Sequence, residues 1–258
     1  MKLRQFLILS SIGMLAACQS SSSGRTLTAP FETKTIQVET PTTSPTQRST
    51  EQGADLTSKA LLIPVGNPPT IDGTMTLGEW DDAVVESFAD GSLLFLMQNG
   101  EFLYVGIRAK ESGTIAGNIF IQRGDEIYIL HSSAALGTAI YQKSGTGWQQ
   151  TQDFSWCCRN ISNSVSAQTE RDDFLQAEDW LAANGRMGTP NELEYQIKIP
   201  EQDFHIAAVY LKASPPYENV PWPADLDDDS ILPTPGGLPM MMEFSTSQWG
   251  TLQLTNWE

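Results

Sequence analysis

The chain has 258 residues, with 15 Lys and Arg against 31 Asp and Glu, which gives a net charge of −16. An acidic surface of this kind is repelled by phosphates, so nucleic acid is excluded as an expected partner. The length is sufficient for one domain with a sizeable core, and the charge favours neutral ligands or cations.

Residues 1–17 are typical of a signal peptide that is removed on export. Lys2 and Arg4 precede an apolar run, Phe6 to Ala17, that is too short to span a bilayer permanently. The run leads into Leu15-Ala16-Ala17-Cys18, which resembles the bacterial lipobox. The resemblance implies that Cys18 is acylated and becomes the first residue of a membrane-anchored chain. Loss of the two basic residues would bring the net charge to −18.

Residues 18–58 are predicted to form a disordered tether. They are rich in Ser, Thr, Pro and Gln and contain few large apolar residues, so they cannot bury enough surface to offset the entropy of ordering. Gln19 directly follows the lipobox cysteine. By the same resemblance, this residue implies the outer membrane in a bacterium that has two membranes. We therefore expect a folded domain, residues 60–258, on a tether at the cell envelope.

The domain shows the pattern of an all-β protein, with short apolar or alternating runs between Gly, Asn, Asp and Pro clusters. Asn99-Gly100 predicts a hairpin turn. Short helices are expected from Thr76 to Ala83, where Thr76 and Glu79 have capping-box spacing, and over Gln176–Ala183. We predict an antiparallel β-sandwich, immunoglobulin-like or jelly-roll-like, with one or two short helices. Its strands are expected at Leu61–Val65, Val84–Phe88, Leu93–Gln98, Phe102–Ala109, Asn118–Gln122, Glu126–Leu130, Ala139–Lys143, Val165–Thr169, Glu192–Ile199, Ile206–Leu211, Met241–Phe244 and Thr251–Leu254.

Four short motifs follow one another along this domain: Pro69–Gly73, Gly78–Trp80, Leu103–Gly106 and Trp249–Leu254. In this order they resemble carbohydrate-binding module family 9 and the wider DOMON-like group of β-sandwiches. The resemblance implies a noncatalytic domain that binds carbohydrate. Independently of the family, Trp80 on a short helix is expected to close the end of the sandwich, which is a structural role. The tryptophans that clamp sugar in the family are missing from the matching stretches, 120–124 and 240–245. A structural or protein-interaction module with the same fold and no sugar site is therefore the alternative.

Sugar binding without the family's clamp requires other aromatic residues. An apolar sugar face stacks on an exposed ring that has polar groups around it. Residues 148–160 and 217–223 combine these features, and aromatic packing of each loop onto the sandwich is the open alternative. The candidate ligand-binding residues are Trp148, Trp156, Arg159, Asn160, Tyr217 and Trp222.

Two clusters could bind metal or form a covalent bond. Asp225, Asp227 and Asp229 have the alternate spacing through which carboxylates converge on calcium, with a solvated acidic loop as the alternative. Cys157 and Cys158 are adjacent, and in an oxidising compartment they can close a vicinal disulfide that fixes a turn beside Trp156. Two free or externally paired thiols are the other possibility.

The two histidines, His131 and His205, have no nucleophile motif beside them, so no enzymatic activity is predicted. The DOMON-like resemblance raises a haem-binding electron-transfer module as a further alternative. Its axial ligands would come from the histidines or from Met240–Met242.

Overall fold

The computed structural model describes residues 60–159, 165–185, 191–199, 204–213, 215–231 and 237–255. The chain divides into two units, Met1–Gln52 and Gly53–Glu258, and all the described residues belong to the second. The predicted signal peptide and the predicted tether lie outside the described residues. None of the described helices is long and apolar enough to cross a membrane.

Strands dominate the described residues, and one α-helix, α1 (Val165–Glu178), interrupts them. Single turns of 3-10 helix occur at Asp229–Ile231 and Thr246–Gln248. The strands are β1 (Ala60–Ile63), β2 (Val84–Ser87), β3 (Leu93–Asn99), β4 (Phe102–Arg108), β5 (Ile115–Arg123), β6 (Glu126–Ser132), β7 (Ala135–Ser144), β8 (Gly147–Arg159), β9 (Trp180–Asn184), β10 (Glu192–Lys198), β11 (Phe204–Lys212), β12 (Asn219–Trp222), β13 (Met241–Met242) and β14 (Gly250–Leu254).

The strands form two sheets. The large sheet has the order β1-β14-β11-β5-β6-β7-β8-β13, with β12 also paired to β11, and the small sheet has the order β2-β3-β4-β10-β9. Neighbouring strands are antiparallel except β1 and β14, which are parallel. The predicted all-β sandwich is confirmed.

The large sheet has apolar side chains on both faces, because its strands alternate between two cores. In β5, Ile119 and Ile121 point into the core shared with the small sheet, whereas Phe120 points to the opposite face. The shared core includes Trp180, Tyr195 and many aliphatic residues of both sheets. The opposite face, which we call the outer face, is covered by residues from the segment between β12 and β14. The large sheet is therefore the middle layer of the domain.

Segment 69–83 packs on the free face of the small sheet. Trp80 is buried, and a Cβ atom added at Gly106 in β4 would lie 3.2 Å from its ring. The side chains of Thr76 and Glu79 form the predicted capping interaction, with Thr76 Oγ1 donating to Glu79 Oε2 at 3.0 Å. The backbone nevertheless forms turns and no helix. The structural role expected for Trp80 agrees with its burial.

Several expected element positions are wrong. Val165–Thr169, predicted as a strand, begins α1. A helix was also predicted at Gln176–Ala183, but α1 ends at Glu178, where the next residue, Asp179, has a positive φ of 63°. The following residues, Trp180–Asn184, pair with β10 instead. Pairing with a neighbouring strand thus overrides local helix propensity there. The stretches predicted as loops at 148–160 and 217–223 contain β8 and β12.

Candidate functional site

A groove of about 150 Å³ opens on the outer face of the large sheet. Its base is formed by alternate residues of the central strands β5 and β6, and β8 forms one side. The other side comes from the segment that covers the outer face. The lining residues are Asn118, Phe120, Ile129, His131, Phe154, Trp156, Leu211, Ser230, Ile231, Gly237 and Leu238.

An aromatic group forms the β8 side of the groove. The Trp156 side chain is 56% exposed, and its ring lies 4.8 Å from that of Phe154 at an interplanar angle of 34°. His131 meets both rings edge-on, with centroid distances of 5.3 Å to Trp156 and 5.7 Å to Phe154. Its neighbours hold the Trp156 ring in place while much of its surface faces solvent. Such a ring can stack on an apolar ligand face.

Gly137 on β7 makes room for these rings. A Cβ atom added there would lie 2.8 Å from Trp156 Cε3 and 3.2 Å from Phe154 Cδ1. Gly137 is the register partner of Trp156. Because Gly137 has no side chain, the Trp156 ring can lie across the neighbouring strand β7.

A polar pair lies beside the aromatic group. His131 Nδ1 is 2.7 Å from Asn118 Oδ1, and burial lowers the pKa of His131 to about 4, so the ring is neutral at pH 7. With an amide oxygen as its partner, Nδ1 carries the proton and donates, which leaves Nε2 as an acceptor. The Asn118 amide nitrogen is a donor. Together these two atoms can bind a hydroxyl group, which both donates and accepts.

Of the aromatic candidates predicted from sequence, Trp156 is in the groove. Trp148 and Trp222 are buried, at 5% and 1% exposure, so both expectations of ligand stacking are corrected. Trp148 packs with Phe244 under the outer-face cover, and Trp222 packs against Gly250 in the shared core. The alternation of side chains along β8 and β12 turns Trp148 and Trp222 inward. That alternation could not be predicted while both stretches were expected to be loops.

The remaining candidates do not add to the groove. Tyr217 is 75% exposed but does not line it. Arg159 is the last residue of β8 and its side chain lies outside the described set, as does the whole of Asn160. Sequence reasoning missed the groove residues Asn118, His131 and Phe154 as ligand contacts. The alternation that places Asn118 and His131 on one face was visible, but the pairing of β5 with β6 was needed to bring them together.

The predicted calcium ligands do not converge. Asp225, Asp227 and Asp229 are all exposed. Among the described residues, the set of three metal-ligand side chains that do converge consists of Cys157, Cys158 and Glu170. An acidic loop in water, the alternative interpretation, describes the three aspartates better.

Asp228, which was not a candidate, is the structural member of that acidic run. Its buried carboxylate accepts a hydrogen bond from Ser245 N at 2.7 Å and from Trp249 Nε1 at 3.0 Å. These bonds fasten the cover of the outer face, including the Ile231 side of the groove. The carboxylate thus has a role in holding the groove together.

The two cysteines are joined, with an Sγ–Sγ distance of 2.07 Å. They lie within β8 and not in a turn, which corrects the local structure expected for them. Because their sulfurs are bonded to each other, both are withdrawn from metal binding in this state.

The haem alternative is not supported by the positions of the histidines. His131 pairs with Asn118 and His205 with Gln122, so they are four residues apart along β5. The two histidines also lie on the strands on either side of β5, so their Cα atoms are roughly 16 Å apart, and both side chains project from the outer face. Two parallel side chains at this distance cannot bind the two axial positions of one iron. Met240 and Met241 are exposed.

No protein-family model matches the chain. No curated protein matches it significantly. One similar solved structure is that of a candidate carbohydrate-binding protein from Bacteroides uniformis, at 14% identity and a TM-score of 0.38. The similarity covers 76% of this chain and 99% of that one. A likeness this distant carries no function from one chain to the other, so the function must be argued from the groove.

Proposed function

We propose that the chain is a noncatalytic, lipid-anchored protein of the cell envelope whose β-sandwich binds a neutral saccharide in the outer-face groove. The observation that carries the proposal is the exposed Trp156 ring, held by Phe154 and Gly137 beside the His131–Asn118 pair. A pyranose ring has apolar C–H faces and hydroxyl groups at its edge. The apolar C–H faces can stack on Trp156, and the hydroxyl groups can form hydrogen bonds with the His131–Asn118 pair.

The charge of the site favours a neutral ligand. Among the described residues that line the groove there is no Lys, Arg, Asp or Glu, and His131 is neutral. An anionic sugar would therefore find no cation there and would meet a chain with a net charge of −16. The resemblance to carbohydrate-binding module family 9 agrees with this proposal, although the aromatic residues used here differ from that family's clamp.

Binding to a glycan array, followed by calorimetry on the best ligand, tests the proposal. We expect weak binding, with dissociation constants around the micromolar to millimolar range, and its loss in Trp156→Ala. Trp156 is exposed, so the variant should keep its fold. Tyr217→Ala, which removes a more exposed aromatic ring outside the groove, is the matched control and should bind as the wild type does.

Two results would contradict this function. If Tyr217→Ala lost binding and Trp156→Ala kept it, the groove would be the wrong site. If no saccharide bound at millimolar concentration, the alternative of an interaction module with the same fold would replace the proposal. The exposed Met240 and Met241 beside β8 would then be the first surface to test.

A further inference from the structure

The Cys157–Cys158 disulfide lies at an irregular point of β8. In a regular strand, successive side chains point to opposite faces, which holds adjacent cysteines apart. In this strand, Leu136 pairs with Cys157 and Ala135 pairs with Arg159, so Cys158 is one residue more than the partner strand provides. Cys158 also has a φ of 41°, in the left-handed region. The disulfide therefore closes over a β-bulge.

This bulge bounds the short run of β8 that carries Trp156. The pairing of β7 with β8 has two further irregularities, between Thr138 and Ile140 and between Ile140 and Tyr141, so the run from Ser155 to Cys157 lies between bulges on both sides. On one side of it, Cys157 pairs with Leu136 toward the shared core, and Trp156 pairs with Gly137 toward the groove. A shift of one residue in strand register moves every side chain to the other face of a sheet. The register of this run, which the bulge at Cys158 bounds on one side, therefore places the Trp156 ring in the groove.

Gly137 is the position of the partner strand that accepts the ring. Gly137 offers an empty position beneath the indole, whereas its neighbours Leu136 and Thr138 carry side chains that are buried in the shared core. Thr138 Oγ1 also accepts a hydrogen bond from Trp180 Nε1 at 2.8 Å. If β8 slipped by one residue, Trp156 would therefore lose the space over Gly137 and would face Leu136 or Thr138 instead.

We infer that the Cys157–Cys158 disulfide is a positioning device for the groove: by closing the bulge at Cys158 it fixes the register that seats Trp156 over Gly137. The consequence for ligand affinity rests on the proposed saccharide function. The position of the Trp156 ring does not, and it can be measured without any ligand.

The experiment uses the full-length protein labelled with 5-fluorotryptophan and observed by fluorine NMR, with the Trp156 resonance assigned from Trp156→Phe. A dithiol reductant cleaves the bond: two electrons and two protons pass to the cysteine sulfurs, and the dithiol becomes a disulfide. We expect the Trp156 resonance to shift or broaden on reduction and in the double variant Cys157→Ser, Cys158→Ser. The resonance of Trp148, buried at the opposite end of β8, is the internal control and should stay in place.

Saccharide affinity, measured in parallel, should fall about tenfold, the size expected when one stacking ring is misplaced. An unchanged Trp156 resonance after reduction, with the thiols verified by alkylation, would overturn the inference. A change in every tryptophan resonance would also overturn it, since the bond would then support the whole fold and not this ring. If no saccharide binds in either redox state, the proposed function fails while the fluorine result still decides the inference.

Discussion

His131 is the residue of the groove whose protonation matters most. Burial lowers its pKa from 6.5 to about 4, so the folded state resists protonation where the unfolded state takes up a proton. The stability that this residue contributes is present above pH 6.5 and is lost as the pH falls toward 4. His205 has the same direction of pKa shift, also through burial.

We expect the contribution of His131 to the free energy of unfolding to be roughly 1–2 kcal/mol smaller at pH 5 than at pH 7. Urea unfolding of the wild type and of His131→Gln, which does not titrate, at both pH values measures this contribution as the difference between the two proteins. NMR titration of the ring gives the pKa directly. A pKa near 6.5 in the folded protein would contradict the burial argument.

Single residues of the site were only partly predictable from sequence. Trp156 could be proposed because a tryptophan among Gln, Asp and Arg suggests a ligand platform. Trp148 has the same chemistry and similar neighbours, yet it is buried. The two tryptophans differ in burial because of their positions along β8 and because the cover of the outer face packs on Trp148. Neither cause depends on residue type. Asp228 was missed for a similar reason, since its neighbours in the acidic run differ from it only in burial.

At the level of elements, segment 69–83 is held to the small sheet by buried carboxylates. Glu194 on β10 accepts hydrogen bonds from Gly73 N at 2.8 Å, Trp80 Nε1 at 3.1 Å and Asp72 N at 3.2 Å. Burial raises its pKa to about 7, against the opposing effect of these donors. Its contribution to stability is therefore greatest at low pH and declines as the pH rises through 7, opposite to that of His131.

We expect Glu194→Ala to lower the free energy of unfolding by about 2–4 kcal/mol, because it leaves buried donors without an acceptor. Glu194→Gln keeps an acceptor oxygen and should cost less. Glu101→Ala, which removes an exposed partner of Lys198, serves as the control and should cost much less than Glu194→Ala. Urea denaturation compares the three variants. Equal losses for Glu194→Ala and Glu101→Ala would show that the segment is not fastened through Glu194.

The elements that sequence predicted well are those with strong alternation and clear turns. Asn99-Gly100 connects β3 and β4, with Asn99 paired to Phe102 and Gly100 at a φ of 57°. By contrast, β8 was hidden because its bulges break the period-two pattern, and its polar residues are typical of a loop. The short β9 was hidden because Ala182 and Ala183 favour a helix until pairing with β10 is known.

At the level of the whole molecule, we propose attachment to the membrane through Cys18, in keeping with the lipobox resemblance. Cys18→Ala should prevent incorporation of labelled palmitate and leave an unprocessed precursor. Cys157→Ser, which also removes a cysteine, is the matched control and should be labelled as the wild type is. Palmitate in Cys18→Ala would place acylation elsewhere in the chain.

The base of the groove has a consequence for the behaviour of the whole domain. Phe120, Ile129 and Ile231 line the groove and also belong to the apolar cluster beneath the outer-face cover. A ligand seated on them is bound by the native packing of that layer and not by the unfolded chain. Occupancy should therefore raise the melting temperature in proportion to the logarithm of ligand concentration above Kd. Because these residues belong both to the groove and to the packed layer, ligand binding and the folding stability of the domain are thermodynamically coupled.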